Sequence, residues 1–232
     1  MITTVLFDLD GLLIDSEITY FQMAKEFVEM HGKTFTLEQY VKDYTGRILL
    51  DNMQSYIDMC GISMTAEEGV EWTVKREAEI TANGIPLKPG AENLIKYLKA
   101  HGIKMYLATS STHERTVKIL TLDGVFDYFD GSVCGTEVEH GKPDPEVFLT
   151  CAQKAGEIPA HCLVLEDSEN GIRAAHAGGF PVICVPDLKV PDKDVLDMTT
   201  AVVKSLDEVI PDRKSTRLNS SHMPKSRMPS SA

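Results

Sequence analysis

A doubly wound α/β core on a parallel sheet, interrupted by an inserted helical domain, is the fold class this 232-residue sequence predicts, on three observations. Four short apolar runs are continuous rather than alternating, which suits strands covered on both faces by crossover helices. The segments between the later runs carry helix start and stop signals. Between the first run and Pro89 there is no comparable strand, only helical stretches.

The first strand is Thr4-Val5-Leu6-Phe7, ending at Asp8. Four helices are expected next, over 17–30, 37–44, 48–59 and 66–82, the last opened by the capping box Thr65-Ala66-Glu67-Glu68. They make residues 16–85 a helical cap domain inserted between the two parts of the core, 1–15 and 86–211, with hinges near Asp15 and over 84–88. Pro89-Gly90 opens a helix over 91–101 that Gly102 closes, and a strand follows over 103–108. Asp144-Pro145 places a cap and an N1 proline before a helix over 146–155, closed by Gly156. Runs over 162–165 and 181–185 supply the remaining strands.

From Asp212 the composition shifts to Ser, Arg and Lys with no period that could bury a face. Read back into codons, Asp212 to His222 and Lys225 to Ala232 match a sequencing adapter in frame, with Met223 and Pro224 as the index between them. Residues 212–232 are therefore expected to be translated adapter, disordered and outside the fold.

The chain is 43% hydrophobic and 25% charged, enough apolar mass for a real core. Lys and Arg number 23 against 35 Asp and Glu, a net charge of −12; the last 21 residues hold five of the cations and one Asp, so the rest stands at −16. With no broad basic field to displace counterions, nucleic acid and anionic membrane surfaces are poor partners. No apolar run approaches the roughly 20 residues of a membrane helix, and Met1-Ile2-Thr3-Thr4-Val5 carries no charged leader, so a cytoplasmic protein is expected. Five cysteines, Cys60, Cys134, Cys151, Cys162 and Cys184, form no CxxC pair and read as reduced, mostly buried small hydrophobes.

In an open α/β sheet the loops at the carboxyl ends of the strands converge on one crevice, and here they are unusually polar. Asp8, Asp10 and Gly11 follow the first run; Thr109, Ser110 and Ser111 follow the second; Glu166, Asp167 and Ser168 follow the later one; and Lys142 lies in the loop Gly141-Lys142-Pro143-Asp144-Pro145. A carboxylate can attack phosphorus and split a difficult transfer into two steps, and the charge on the transferred group calls for fixed donors and a hard cation with oxygen ligands.

The segments DLDGLLIDSE, LATSS, GKPDP and LEDSENG, in this order and spacing, resemble the four motifs of the haloacid dehalogenase superfamily, over essentially all of residues 3–211. The chain is most similar to the β-phosphoglucomutase-like branch, whose members carry a helical cap on a Rossmann-like core. The resemblance implies that Asp8 is the nucleophile and Asp10 the general acid and base. It implies Mg²⁺ held by an Asp8 carboxylate oxygen, the Asp10 backbone carbonyl and Asp167, with Glu166 close by. It further implies that Thr109 and Ser110 bind the phosphoryl oxygens and that Lys142 neutralises both that group and Asp8. An ammonium there is expected to keep the neighbouring carboxylates from raising the nucleophile's pKa. Tyr44-Thr45-Gly46-Arg47 resembles the family's cap loop, which makes Arg47 the first candidate to touch the rest of the substrate. Lys75-Arg76 is a weaker candidate, since a basic pair on a helix usually faces water. Trp72 and the Met and Tyr residues of the inserted helices fit packing better than a cofactor site.

The expected function is Mg²⁺-dependent hydrolysis of a small phosphorylated metabolite, a sugar or polyol phosphate, through an aspartyl-phosphate, by a monomer. The presence of Asp10 argues against a dehalogenase. A phosphosugar mutase is the competing activity, disfavoured because Tyr20 stands where an ungapped register puts a histidine in the mutases. A non-catalytic phosphosugar-binding protein is a third reading, set against the intact Asp8, Asp10, Thr109, Lys142 and Asp167.

Overall fold

The computed structural model describes residues 1–210, so the 212–232 segment read as translated adapter lies outside the described residues. Six parallel strands form one sheet in the order β3-β2-β1-β4-β5-β6. They are β1 (Thr4–Phe7), β2 (Lys104–Ala108), β3 (Gly131–Val133), β4 (Cys162–Glu166), β5 (Val182–Cys184) and β6 (Ala201–Val202). The four predicted strands are β1, β2, β4 and β5. Of the two outer ones, β3 reads Gly-Ser-Val, which is not an apolar run, and β6 is only two residues long, so neither leaves a pattern in the sequence.

Burial follows the alternation along each strand. In β1, Val5 and Phe7 enter one cluster with Leu107, Leu165 and the helix α5 (Ala91–Ala100). Leu6 enters the opposite cluster with Val164 and the helices α7 (Glu146–Ala155) and α8 (Glu169–Ala177). Both faces of the sheet are thus dry, with each fully buried Phe or Leu contributing about 1.5–3 kcal/mol. The helix α6 (His113–Leu122) and the short α9 (Lys193–Leu196) complete the connections.

Between β1 and α5 lie α1 (Ser16–Met30), α2 (Leu37–Asp43), α3 (Leu49–Cys60) and α4 (Ala66–Ile80), close to the predicted spans. Both halves of the Thr65–Glu68 capping box are formed. These helices bury an aromatic-rich cluster of their own, including Phe27, Phe35, Tyr40, Tyr56 and Met53. The chain leaves and re-enters the sheet region along one seam, where Asp15 N donates to Pro86 O at 2.9 Å and Lys88 N to Leu13 O at 2.8 Å. One capping expectation is corrected: Pro145 is itself the N-cap residue of α7, and Asp144 Oδ1 accepts from Glu146 N at 3.0 Å, a local turn bond rather than a conventional cap. Among the described residues no helix is long and apolar enough to cross a membrane.

Candidate active site

The strand order puts β1 between β2 and β4, so the carboxyl ends of all three open on one crevice, at the point where the connections change direction. Asp8 N donates to Leu165 O and Thr109 N to Val133 O, both at 3.1 Å, so the sheet ladder itself fixes the backbone of both residues. The crevice is a cleft of about 450 Å³ walled by Asp8, Asp10, Thr109, Ser110, Lys142 and Asp167, with Arg47 and Glu17 reaching in from the helical insertion. All of the residues expected at the site line it except Glu166.

Lys142 is the cation at its floor. The side chain is 6% exposed, and its Nζ donates to Asp8 and, at 2.6 Å, to Glu166 Oε1. Although burial alone would lower the Lys142 pKa, the Asp8 and Glu166 charges hold it above the ordinary lysine value. Glu166, expected close by the metal, is bonded by the protein on both oxygens. It is 0% exposed, and its Oε2 accepts from Asp167 N, Ser168 N and Ser168 Oγ at 3.0, 3.0 and 2.9 Å. With the other oxygen on Lys142, this carboxylate is consumed in aiming the ammonium and the Asp167 turn.

Glycine makes this compactness possible at two positions. A Cβ on Gly171, in the first turn of α8, would collide with the Glu166 carboxyl. Gly11, at φ +81°, lets the chain turn back with Asp167 against it, where a side chain would strike the Asp167 carboxyl.

Asp10 is held by a residue the sequence reading missed. Arg115, on α6, donates from both terminal nitrogens to the two oxygens of Asp10, at 2.9 and 2.8 Å, and from Nε to Glu77 Oε1 at 2.8 Å. Ser111 Oγ donates to Asp10 Oδ2 at 2.7 Å. Tyr20 hydroxyl donates to the same Glu77 oxygen at 3.1 Å, and the Arg115 guanidinium lies 6.0 Å from the Tyr20 ring centre. Glu77 and Tyr20 belong to α4 and α1, so one guanidinium ties the helical insertion to the residue following β1. Nothing in His113-Glu114-Arg115 distinguishes this arginine from one on a solvated helix face.

Asp187 was also missed, although it lies only three residues beyond the end of β5. It pairs with Lys88, whose Nζ is also 3.6 Å from Asp15 Oδ1 at the seam. The carboxylates of Asp8, Asp10, Glu166, Asp167 and Asp187 thus face the cations Lys142, Arg115 and Lys88. The surplus of negative charge has visible consequences. Burial pushes the Asp8 carboxyl up to about 7; Lys142 counters the repulsion from Glu166 and Asp10, as expected, but does not offset the desolvation. Burial, then the Glu166, Asp8 and Asp187 charges, lift Asp167 far above the carboxylate range. Asp167 Oδ1 is buried and has no hydrogen-bond partner among the described residues. An all-oxygen donor set with uncompensated charge and an orphaned buried carboxylate oxygen fits a hard divalent cation such as Mg²⁺.

Thr109 is buried, and its Oγ1 accepts from Ser111 N at 3.0 Å, which leaves the hydroxyl proton to donate. Ser110 is exposed at the rim. Arg47 lines the cleft, but its terminal nitrogens donate to Asp43 O, Asp51 O and Ser55 Oγ at 3.2, 3.3 and 3.2 Å, bracing its own loop. Of the weaker candidate pair, Arg76 bonds Glu26 at 2.8 Å and Glu79 at 2.9 Å, away from the cleft.

The model of the haloacid dehalogenase-like hydrolase family matches residues 2–179. A Drosophila melanogaster protein named "probable pseudouridine-5'-phosphatase" is 32% identical over 91% of this chain and 93% of its own. Hexitol phosphatase B of Escherichia coli strain K12 is 31% identical over 80% of this chain and 84% of its own. The crystal structure of a β-phosphoglucomutase from Clostridium difficile superposes with a TM-score of 0.65 at 25% identity, covering 90% of this chain and 94% of that one.

Proposed function

Since the chain belongs to the haloacid dehalogenase-like hydrolases and is a phosphoric monoester hydrolase of phosphorylated metabolites, we propose that it works by two-step phosphoryl transfer through Asp8. An Asp8 oxygen attacks phosphorus while Asp10 gives its proton to the departing alkoxide, leaving an aspartyl-phosphate and a free alcohol. Asp10 then takes a proton from water, which attacks phosphorus, releases phosphate and restores Asp8. Thr109 and Ser110 donate to the phosphoryl oxygens, and Lys142 balances the charge that spreads over them. Mg²⁺, held by Asp8, the Asp10 carbonyl and Asp167, would offset the repulsion between the carboxylates and an anionic substrate.

The observation that carries this reading is the buried Lys142 bonded at once to Asp8 and Glu166 at the ends of β1 and β4. The substrate class is a small sugar or polyol phosphate, in line with the name of the hexitol phosphatase relative. Residues 16–85 would act as the cap, moving about the Asp15 and 84–88 crossings to exclude water. The Tyr20 hydroxyl is committed to Glu77, and nothing at that position favours a mutase.

The test is phosphate release, with isomer formation followed in parallel, from a panel of sugar phosphates and glycerol 3-phosphate. Release that needs Mg²⁺, stops with chelator and is lost in Asp8→Asn is expected. Full activity in Asp8→Asn, or conversion of β-glucose 1-phosphate to the 6-phosphate with little phosphate released, would overturn the reading.

A further inference from the structure

A second cavity, of about 210 Å³, lies inside the helical insertion. It shares the walls formed by Glu17, Gly46 and Arg47 with the phosphate cleft, so the two are neighbours along one path. Gly46, at φ +75°, has open space where a side chain would stand, which keeps that junction unobstructed.

The walls are chemically distinctive. Six aromatic rings, those of Tyr20, Phe27, Tyr40, Tyr44, Tyr56 and Trp72, line the cavity. Such faces hold a flat ring by stacking, and gain little from a hydroxylated chain that must shed water to enter. One polar group waits among them. Asn52 lines the cavity, is 8% exposed, and donates from Nδ2 to Tyr44 O at 3.0 Å. That bond fixes the amide so that Oδ1 is the free end, and Oδ1 is buried with no hydrogen-bond partner among the described residues. A buried acceptor left open is costly, and a donor carried in by a ligand relieves it. The volume is below the roughly 300 Å³ at which complete drug-sized ligands are held, so it suits one ring while the rest of the molecule stays in the larger cleft.

We propose that this cavity is a subsite for a flat heteroaromatic ring bearing an N–H donor, so that the preferred phosphomonoester is of the pyrimidine nucleoside 5'-phosphate class. The ring sits between the aromatic walls with its N–H on Asn52 Oδ1, and the sugar phosphate extends past Gly46 to Asp8. This deepens the phosphatase reading and rests on it.

The chain holds a single tryptophan, Trp72, on the cavity wall, which supplies a readout independent of turnover. In the Asp8→Asn chain, excited at 295 nm, uridine 5'-phosphate is expected to change Trp72 emission saturably and glycerol 3-phosphate to leave it unchanged. Ala24→Phe fills the cavity from α1 without removing a hydrogen bond, and Asn52→Leu removes the acceptor. Each is expected to lower the ratio of kcat/KM for uridine 5'-phosphate to that for glycerol 3-phosphate at least tenfold, with far-UV circular dichroism and glycerol 3-phosphate turnover reporting the fold. Trp72 emission indifferent to uridine 5'-phosphate, or a ratio the same in both variants as in the parent, overturns the subsite while leaving the phosphatase intact. Absence of phosphate release from every substrate overturns the phosphatase reading instead, and the Trp72 titration still decides whether the cavity takes the ring.

Discussion

Arg115 grips both oxygens of Asp10, at 2.9 and 2.8 Å, from a position 105 residues further along the chain. A planar fork meeting a carboxylate in this way fixes its orientation as well as its charge, which a lysine cannot do. With its third donor on Glu77, Arg115 makes the pose of Asp10 depend on where the inserted helices sit.

Arg115 is therefore a positioning residue for the proposed acid and base. Arg115→Ala should lower kcat about 10- to 100-fold, less than the roughly 100- to 10,000-fold that the whole of general acid–base catalysis contributes, with KM changed much less. Arg115→Lys should fail to restore it, because a single ammonium cannot bond both oxygens. Steady-state kinetics on one substrate with both variants checks this; recovery in Arg115→Lys would reduce the role to simple charge.

Gly171→Ala should damage the site through Glu166. The new methyl collides with a carboxyl that is 0% exposed and bonded on both oxygens, so it cannot swing aside. Overpacking of this kind costs about 1–3 kcal/mol. The loss of Lys142 alignment should also lower phosphate release by more than tenfold. Thermal melting and turnover measured on the same preparation check both effects, and a fully active variant would contradict the packing described.

Asp123 supplies a pH dependence. It caps the C-terminal end of α6, where a negative charge meets the negative end of the helix dipole, and burial pushes its carboxyl up to about 6. The folded pKa is above the unfolded value of roughly 4, so folding binds the proton more tightly. This contribution is fully present below about pH 4, is lost as pH rises through 6 and is flat above. Asp123→Asn should raise stability by about 1 kcal/mol at pH 8, allowing for partial solvent screening, and by nearly nothing at pH 4. Tm differences at the two values check it.

Only one thiol should react in the folded protein. Cys60 is partly exposed, whereas Cys134, Cys151, Cys162 and Cys184 are buried, and burial lifts Cys151 and Cys184 to about 12 and Cys162 to about 11. Ellman's reagent should titrate one thiol in buffer and five in guanidinium chloride; fast reaction of a second would show that the core opens.

The parallel sheet, the four inserted helices and the placement of Asp8, Thr109, Lys142 and Asp167 at one cleft were legible in the amino-acid sequence. Those features rest on local patterns: continuous apolar runs, capping residues and polar motifs placed directly at the strand ends, which the sheet must bring together. Edge strands as short as β6 leave no such pattern. Asp187 had the right signal, a carboxylate just beyond an apolar run, but it stood outside the recognised motifs. Arg115, Glu77 and Tyr20 had none, since each reads as an ordinary helical residue and gains meaning only when α1, α4 and α6 converge. Glu166 was legible as belonging to the site but not as the anchor of Lys142, because that depends on which neighbours reach its two oxygens first. These roles arise from packing: a buried charge must be matched by whatever side chain the fold places beside it, and no local stretch of sequence records that choice.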